Sequence, residues 1–257
     1  MQKMKEQWRL IETGDNTAFT NMAMDKAVLV SISRGKVPPT VRFYRWRPSA
    51  ISIGYFQSLE EEVNLDICKN FGVDYVRRIT GGGAVYHEKE LTYSIIISES
   101  HPKIPKNIME SYRIICGALI KGLKNLGIES TYVPINDIIT NGKKISGNAQ
   151  TRKEKTVLQH GTILTDVNIE KMFFLLRVPN EKIKDKLIAD VKERVTSIKH
   201  VLEKEISFEE ISTAIKSGFE KEFNIELVKG TFTEEEEELT KKFEKECFST
   251  NNWNHRR

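Results

Sequence analysis

Two stretches of this sequence collect residue types that can grip an anion. In the first, Arg77-Arg78-Ile79-Thr80-Gly81-Gly82-Gly83-Ala84-Val85-Tyr86-His87, three consecutive glycines stand between two arginines and a histidine. Ordering three glycines costs much conformational entropy, which points to main chain that must approach something closely. Taken alone, a glycine triplet is most often a tight bend. The arginines weigh against that reading, because successive strand side chains point to opposite faces and at least one should project beside the loop. Main-chain N–H groups next to a guanidinium form a concavity suited to an anion.

The second stretch runs Asn136-Asp137-Ile138-Ile139-Thr140-Asn141-Gly142-Lys143-Lys144-Ile145-Ser146-Gly147-Asn148-Ala149-Gln150. Asn141-Gly142 is a strong signal for a two-residue hairpin turn. Lys143 and Lys144 then leave the turn toward opposite faces, and small residues follow that let a ligand lie against the strand. A lysine pair in a turn more often serves only solubility. Gly147 and Asn148 at strand positions favour a pocket, since an ordinary core strand has little use for them. Asn136-Asp137 suits a turn cap, or a carboxylate for Mg²⁺ or a ribose hydroxyl. Neither the P-loop pattern nor Gly-x-Gly-x-x-Gly opening a helix occurs, which disfavours P-loop nucleotidases and nicotinamide dehydrogenases.

The elements that must position these segments follow from period. A strand is expected at residues 8–11 and a helix from Ala18 to Ser33. Residues 41–46 and 50–55 alternate across Arg47-Pro48-Ser49 and read as a hairpin. A helix near 63–70, a strand at 75–79 entering the glycine loop and another at 91–98 come next. Residues 107–126 form the best amphipathic helix, with Ile108, Tyr112, Ile115, Leu119 and Leu123 along one face. Strands at 130–135, 137–140, 144–150 and 156–164, helices near 170–176 and 208–223, a strand at 225–228 and a helix at 234–246 complete the chain. Five consecutive glutamates, 234–238, with Thr233 as N-cap, fit the positive end of that last helix. Hairpin signals outnumber βαβ alternation, so the fold class expected is α/β of the α+β type with a mixed, largely antiparallel sheet.

Composition is that of an ordinary globular protein, with 257 residues, 39% hydrophobic and 30% charged. There is no apolar run of about 18 residues to span a bilayer. The opening MQKMKEQWRL has charge with no apolar segment behind it, so a cytoplasmic protein without membrane association is expected. Cys68, Cys116 and Cys247 are scattered and lack CxxC spacing, which suggests reduced thiols and no permanent metal site. His160 has no second ligand at metal spacing and reads as a strand residue under a pocket. A net charge of +4 without basic-aromatic interleaving makes nucleic acid an unpromising partner.

Together, "RRITGGGAVYH", "NGKKISGNAQ", the His160-Gly161 pair and the closing "FSTNNWN" resemble the lipoate-protein ligase and octanoyltransferase superfamily, over nearly the whole chain. The resemblance implies a catalytic domain shared with biotin ligases: one domain over 1–257, with a core at about 8–230, a helical segment at 231–257 and no C-terminal accessory domain. It implies activation of lipoate by ATP and Mg²⁺ to lipoyl-AMP, then transfer to a lysine of a lipoyl domain, on a 2-oxoacid dehydrogenase E2 or a glycine cleavage H protein. Lys144 matches the family's catalytic lysine. Arg78, Gly81, Gly82, Gly83, Ala84, Val85, Tyr86, His87, Ser146 and Gly147 match its ATP and lipoyl-AMP site, with Asn136 and Asp137 as Mg²⁺ or ribose contacts. A separate small accessory subunit is also implied.

Within the superfamily the signals divide. Glu88-Lys89-Glu90-Leu91 after His87 and the run from Ala149 to Gly161 lean toward octanoyltransferases. That branch should carry a cysteine just before the lysine segment to hold a thioester, and residues 130–141 contain none. The expectation is therefore an ATP-dependent lipoate-protein ligase. The alternatives are an acyltransferase working from a carrier protein through one of the distant cysteines, and a non-catalytic accessory protein on the same fold.

Overall fold

The computed structural model describes residues 4–177 and 184–257. In chain order its elements are β1 (Glu6–Asn16), α1 (Ala18–Ser33), β2 (Thr40–Trp46), β3 (Ala50–Ile53), α2 (Leu59–Glu62), α3 (Leu65–Phe71), β4 (Asp74–Arg77), β5 (Val85–His87), β6 (Glu90–Ser98) and α4 (Ile108–Asn125). There follow β7 (Thr131–Val133), β8 (Asp137–Thr140), β9 (Lys143–Lys153), β10 (Thr156–Leu164), α5 (Ile169–Leu175), α6 (Lys184–Arg194), α7 (Ile198–Leu202), α8 (Phe208–Phe223), β11 (Ile225–Lys229), α9 (Glu234–Phe243), a π-turn (Glu244–Phe248) and α10 (Asn251–Asn254).

Eight strands form one sheet in the order β11-β1-β2-β6-β10-β9-β8-β7, parallel only where β1 meets β11 and β2. This is the mixed, mostly antiparallel sheet flanked by helices that the sequence led us to expect. Asn141 and Gly142, both with positive φ, make the two-residue turn between β8 and β9. A second such turn at Glu154-Lys155 carries none of the usual residues and is invisible to composition.

The expected hairpin of 41–46 with 50–55 does not form. β2 is paired on both edges by β1 and β6, while β3 sits in a separate three-stranded sheet, β4-β3-β5. Alternation reports that a strand has two unlike faces and carries no information about which edge it meets. Both strands are buried almost throughout, which takes two covering layers rather than a free hairpin.

One face of the large sheet, with Phe43, Tyr93, Ile95 and Val157, packs against Ile115 and Leu119 of α4 and Ile215 and Phe219 of α8. The other face, with Tyr44, Trp46, Ile96 and Leu158, receives α1 and Phe248. α9 then packs over α1, and helix α1 is buried on almost every side. The acidic start of α9 is capped by Thr233 and Glu236 as expected of a helix N-terminus. Glu236 does more than cap, since it is fully buried in a two-pronged ion pair with Arg9 at 2.6 and 2.8 Å.

Asp25 of α1 fixes that helix to the sheet. Its carboxylate faces Arg42 at 2.5 Å and accepts hydrogen bonds from Ser94 at 2.8 Å and Tyr44 at 3.2 Å. Asp25 also lies 3.2 Å from His160 Nδ1, whose Nε2 is 2.7 Å from the Thr80 hydroxyl at the edge of the glycine loop. Burial opposes ionisation of Asp25, but Arg42 and His160 outweigh it and hold the carboxyl below its ordinary value. Burial also keeps the His160 imidazole below its ordinary value, against the pull of Asp25. Each depressed group contributes stability that drains as pH falls: for His160 from about 6.5 downward, for Asp25 from about 3.9 downward. The thermal midpoint should therefore begin to fall as pH drops below about 6.5, and His160→Gln should flatten that first stage. A His160→Gln profile that overlays the wild type between neutral pH and pH 5 would remove His160 from this account.

Candidate functional site

Between the three-stranded sheet and the large sheet lies a cavity of about 300 Å³, the size of a small-molecule site. The glycine loop forms its roof through Gly82, Gly83, Ala84 and Val85, joined by Tyr86 and His87 of β5. Trp46, Thr92, Gly147, Ala149 and His160 of the large sheet make the floor. Val167, Ile169, Met172, Val191 and Val195, on and around α5 and α6, give it an apolar end.

The glycine loop joins β4 to β5, the two outer strands that flank β3. Arg77 and Arg78 diverge as strand geometry requires. The Arg77 guanidinium turns toward the C-terminal segment and donates to the carbonyls of Tyr55, Gln57, Trp253 and Asn254 at 2.5 to 3.1 Å. Arg78 turns under the loop. It donates to the carbonyls of Gly81 and Gly83 at 2.8 Å and Ser52 at 2.9 Å, and to the Ser52 hydroxyl at 3.1 Å. Its ammonium-like charge has no carboxylate partner among the described residues, and burial pulls the guanidinium down to about 10. A buried cation on the cavity wall, neutralised only by dipoles, favours a ligand that is negative or becomes so.

Close packing of main chain sets the height of the roof. A Cβ on Gly54 would fall 1.9 Å from the carbonyl oxygen of Gly82, so the two backbones are in contact with no room for a side chain. Gly82 itself has φ of +98°, a left-handed conformation that suits glycine.

Lys144 reaches the same cavity from β9. Its ammonium stands over Gly147 and lies 2.7 Å from the Asp137 carboxylate. The register of β8 with β9 passes from Ser146 opposite Ile138 to Lys144 opposite Ile139, so Ile145 is bulged out. That bulge reverses parity, which places Lys144 on the face of Gly147 and not of Ser146. Ser146 is consequently fully buried away from the cavity, contrary to its expected place in the site. Gly81 is also outside the lining, its carbonyl turned to Arg78, and Asp137 meets Lys144 from outside. Asn136 does line the cavity, bonded to the main chain of Asn148. Arg78, Gly82 to His87, Lys144, Gly147 and Asn136 are thus brought together.

The structure adds residues that sequence reasoning passed over. His87 stacks on Trp46 with ring centres 4.0 Å apart, its Nε2 is 2.8 Å from the Ser52 hydroxyl, and its Nδ1 contacts the Glu90 carboxylate. Ser52, Trp46 and Glu90 lie 7 to 35 positions from the three glycines, with no spacing to betray them. The cysteines lie elsewhere. Cys68 and Cys116 are fully buried in apolar cores, with burial pushing the thiols up to about 11 and about 12. Burial raises Cys247 as well, and none of the three lines the cavity.

The cavity is a slot with an apolar end and a cationic, glycine-roofed end. Residues 17–220 match the sequence profile of the lipoyl protein ligase A/B catalytic domain, and the chain belongs to this family. The octanoyltransferase LipM of Brevibacillus brevis is 40% identical over 98% of this chain and 100% of its own. That of Geobacillus kaustophilus is 40% identical over 98% and 99%. Among solved structures, a bi-partite lipoate protein ligase from Thermoplasma acidophilum, described with its E2 lipoyl domain, superposes with a TM-score of 0.87 at 32% identity, covering 98% of this chain and 96% of its own.

These relatives overturn the expectation of an ATP-dependent lipoate-protein ligase, and with it the ATP and Mg²⁺ reading, because full-length relatives of higher identity than the ligase are octanoyltransferases. The expectation had rested on a missing cysteine, and the glycine and lysine segments do not separate the branches. The roof geometry is directly testable. Gly54→Ala should force β3 and the loop apart, lowering stability by about 1–3 kcal/mol in denaturant unfolding and changing the hydrogen-exchange protection of the glycine loop. Unchanged unfolding and protection would show that the contact with Gly82 does not shape the cavity.

Proposed function

We propose that this protein is an acyltransferase of protein lipoylation, which takes an octanoyl group held as a thioester on a carrier protein and delivers it to a lysine of a lipoyl domain. The observation that carries the reading is the pairing of full-length similarity to octanoyltransferases with a slot of the right character. Burying the methylenes of an octanoyl chain against Val167, Ile169 and Met172 contributes about 0.8 kcal/mol each, an upper estimate.

With the chain so placed, the acyl carbon lies at the end of the slot bounded by Arg78, Gly82, Gly83 and Lys144. Attack on a thioester turns the carbonyl oxygen into an oxyanion, and the Lys144 ammonium supplies a point charge for it without reorganisation. Asp137 at 2.7 Å holds that ammonium in position. A thioester already carries its activation, so transfer needs no nucleotide. The acceptors that fit are the lipoyl domains of a 2-oxoacid dehydrogenase E2 or a glycine cleavage H protein.

Purified protein incubated with octanoyl-loaded carrier and a lipoyl domain, without nucleotide, should add one octanoyl group to the domain, read by intact mass. Modification that requires free octanoate or lipoate with Mg-ATP, and does not occur from the carrier, would overturn the reading. Lys144→Ala should lower the transfer rate by about 10²- to 10³-fold while leaving thermal stability near that of the wild type. A variant that transfers at the wild-type rate would take Lys144 out of the mechanism.

A further inference from the structure

We propose that Ser52 is the nucleophile that carries the acyl group, as an oxyester, with His87 as its general base and Glu90 orienting the imidazole. The inference rests on the acyltransferase reading above and supplies what that reading lacks, a covalent carrier in the cavity.

Three side chains stand in line. The Ser52 hydroxyl is 2.8 Å from His87 Nε2, and His87 Nδ1 is in contact with Glu90 Oε1. All three residues are at least nine-tenths buried, and Ser52 and His87 line the cavity. The hydrogen-bond partners suit one arrangement of the protons. Arg78 can only donate, and it gives a hydrogen bond to Ser52 Oγ at 3.1 Å. With the imidazole proton on Nδ1, facing the Glu90 carboxylate that can only accept, Nε2 is left to accept the Ser52 O–H. This is the protonation that a serine–histidine–carboxylate relay requires.

The surroundings fix that arrangement. Thr92 donates to the Glu90 carboxylate at 2.9 Å, and Trp46 Nε1 donates to Thr92 at 2.8 Å. Trp46 also stacks flat on the imidazole, 13° from parallel, so the ring cannot turn away from Ser52. Three elements meet here: Ser52 comes from β3, His87 from β5 directly opposite Ala50, and Glu90 from the start of β6. No cysteine competes for the role, since none lines the cavity.

Ser52 Oγ attacks the thioester carbonyl while its proton passes to His87 Nε2. The C–S bond breaks, the carrier thiolate takes that proton and leaves as the thiol, and an octanoyl ester remains on Ser52. The neutral amine of the acceptor lysine then attacks the ester and loses a proton to His87. The C–O bond breaks, the proton returns to Ser52 Oγ, and an amide is released. Lys144 on the cavity wall is the cation for the oxyanion of both tetrahedral intermediates, with the fixed charge of Arg78 beside Ser52.

p-Nitrophenyl octanoate probes the nucleophile without any carrier. With wild-type protein it should release a burst of nitrophenol and leave one octanoyl group on the peptide containing Ser52. Neutral hydroxylamine, which cleaves thioesters, should leave that adduct intact. Ser52→Ala should show no adduct and transfer at least about 10³-fold more slowly from octanoyl carrier to a lipoyl domain. Ser52→Cys should regain the adduct in hydroxylamine-labile form. His87→Asn should slow acylation of Ser52 by the ester, about 10²-fold or more. Transfer by Ser52→Ala at the wild-type rate, or an adduct on Cys68, Cys116 or Cys247, would overturn the proposal and leave the transferase reading standing. Acylation of Ser52 by the ester with no transfer from any octanoyl carrier would do the opposite.

Discussion

Two guanidinium groups on consecutive residues are buried in this fold, and neither makes an ion pair among the described residues. Taking such charges out of water costs several kcal/mol each unless their donors are met. Here the acceptors are mainly main-chain carbonyls, and the chain must be bent to present them. Arg78 therefore dictates the path of the glycine loop by collecting the oxygens of Gly81 and Gly83 on one side and Ser52 on the other. Arg77 does the same for the turn after β3 and the last helix. The roof of the cavity is in this sense the solvation shell of an arginine.

The same constraint shapes the chemistry. A carbonyl shell satisfies donors while leaving the net positive charge in place, so the cavity keeps a field that a carboxylate partner would have cancelled. Lys144 is treated differently, standing half exposed and paired to Asp137 at 2.7 Å. One cation is rigid and built into the wall. The other is adjustable and set at the rim.

Much of this was readable in the sequence where residues break ordinary rules. Three glycines beside two arginines have no purpose in a plain strand, and the Asn141-Gly142 turn specified the β8 and β9 pairing. Helix α1 was bounded correctly at Ala18 and Ser33, although its burial on nearly every side was hidden, because a helix covered by α9 as well as the sheet has no polar stripe to read. What failed to show depends on pairing between distant segments. The separation of β2 from β3 into different sheets is decided by which strands claim their edges. The facing of Lys144 relative to Ser146 depends on a bulge at Ile145. Ser52, His87 and Glu90 meet only because β3, β5 and β6 do, and nothing local marks a serine in a short apolar strand. The branch of the family is hidden for a related reason: the absent thiol at residues 130–141 points to a ligase, while the glycine and lysine segments are common to both branches.

Arg77 donates to the carbonyls of Trp253 and Asn254 through its guanidinium, and its main-chain amide donates to the Asn254 side chain at 2.7 Å, across 177 positions of chain. During synthesis, then, β4 emerges from the ribosome long before its arginine can be satisfied. Closing so large a loop is slow, so this contact belongs to the most non-local part of the fold. Trp253 and Asn254 act as a latch on the small sheet above the cavity.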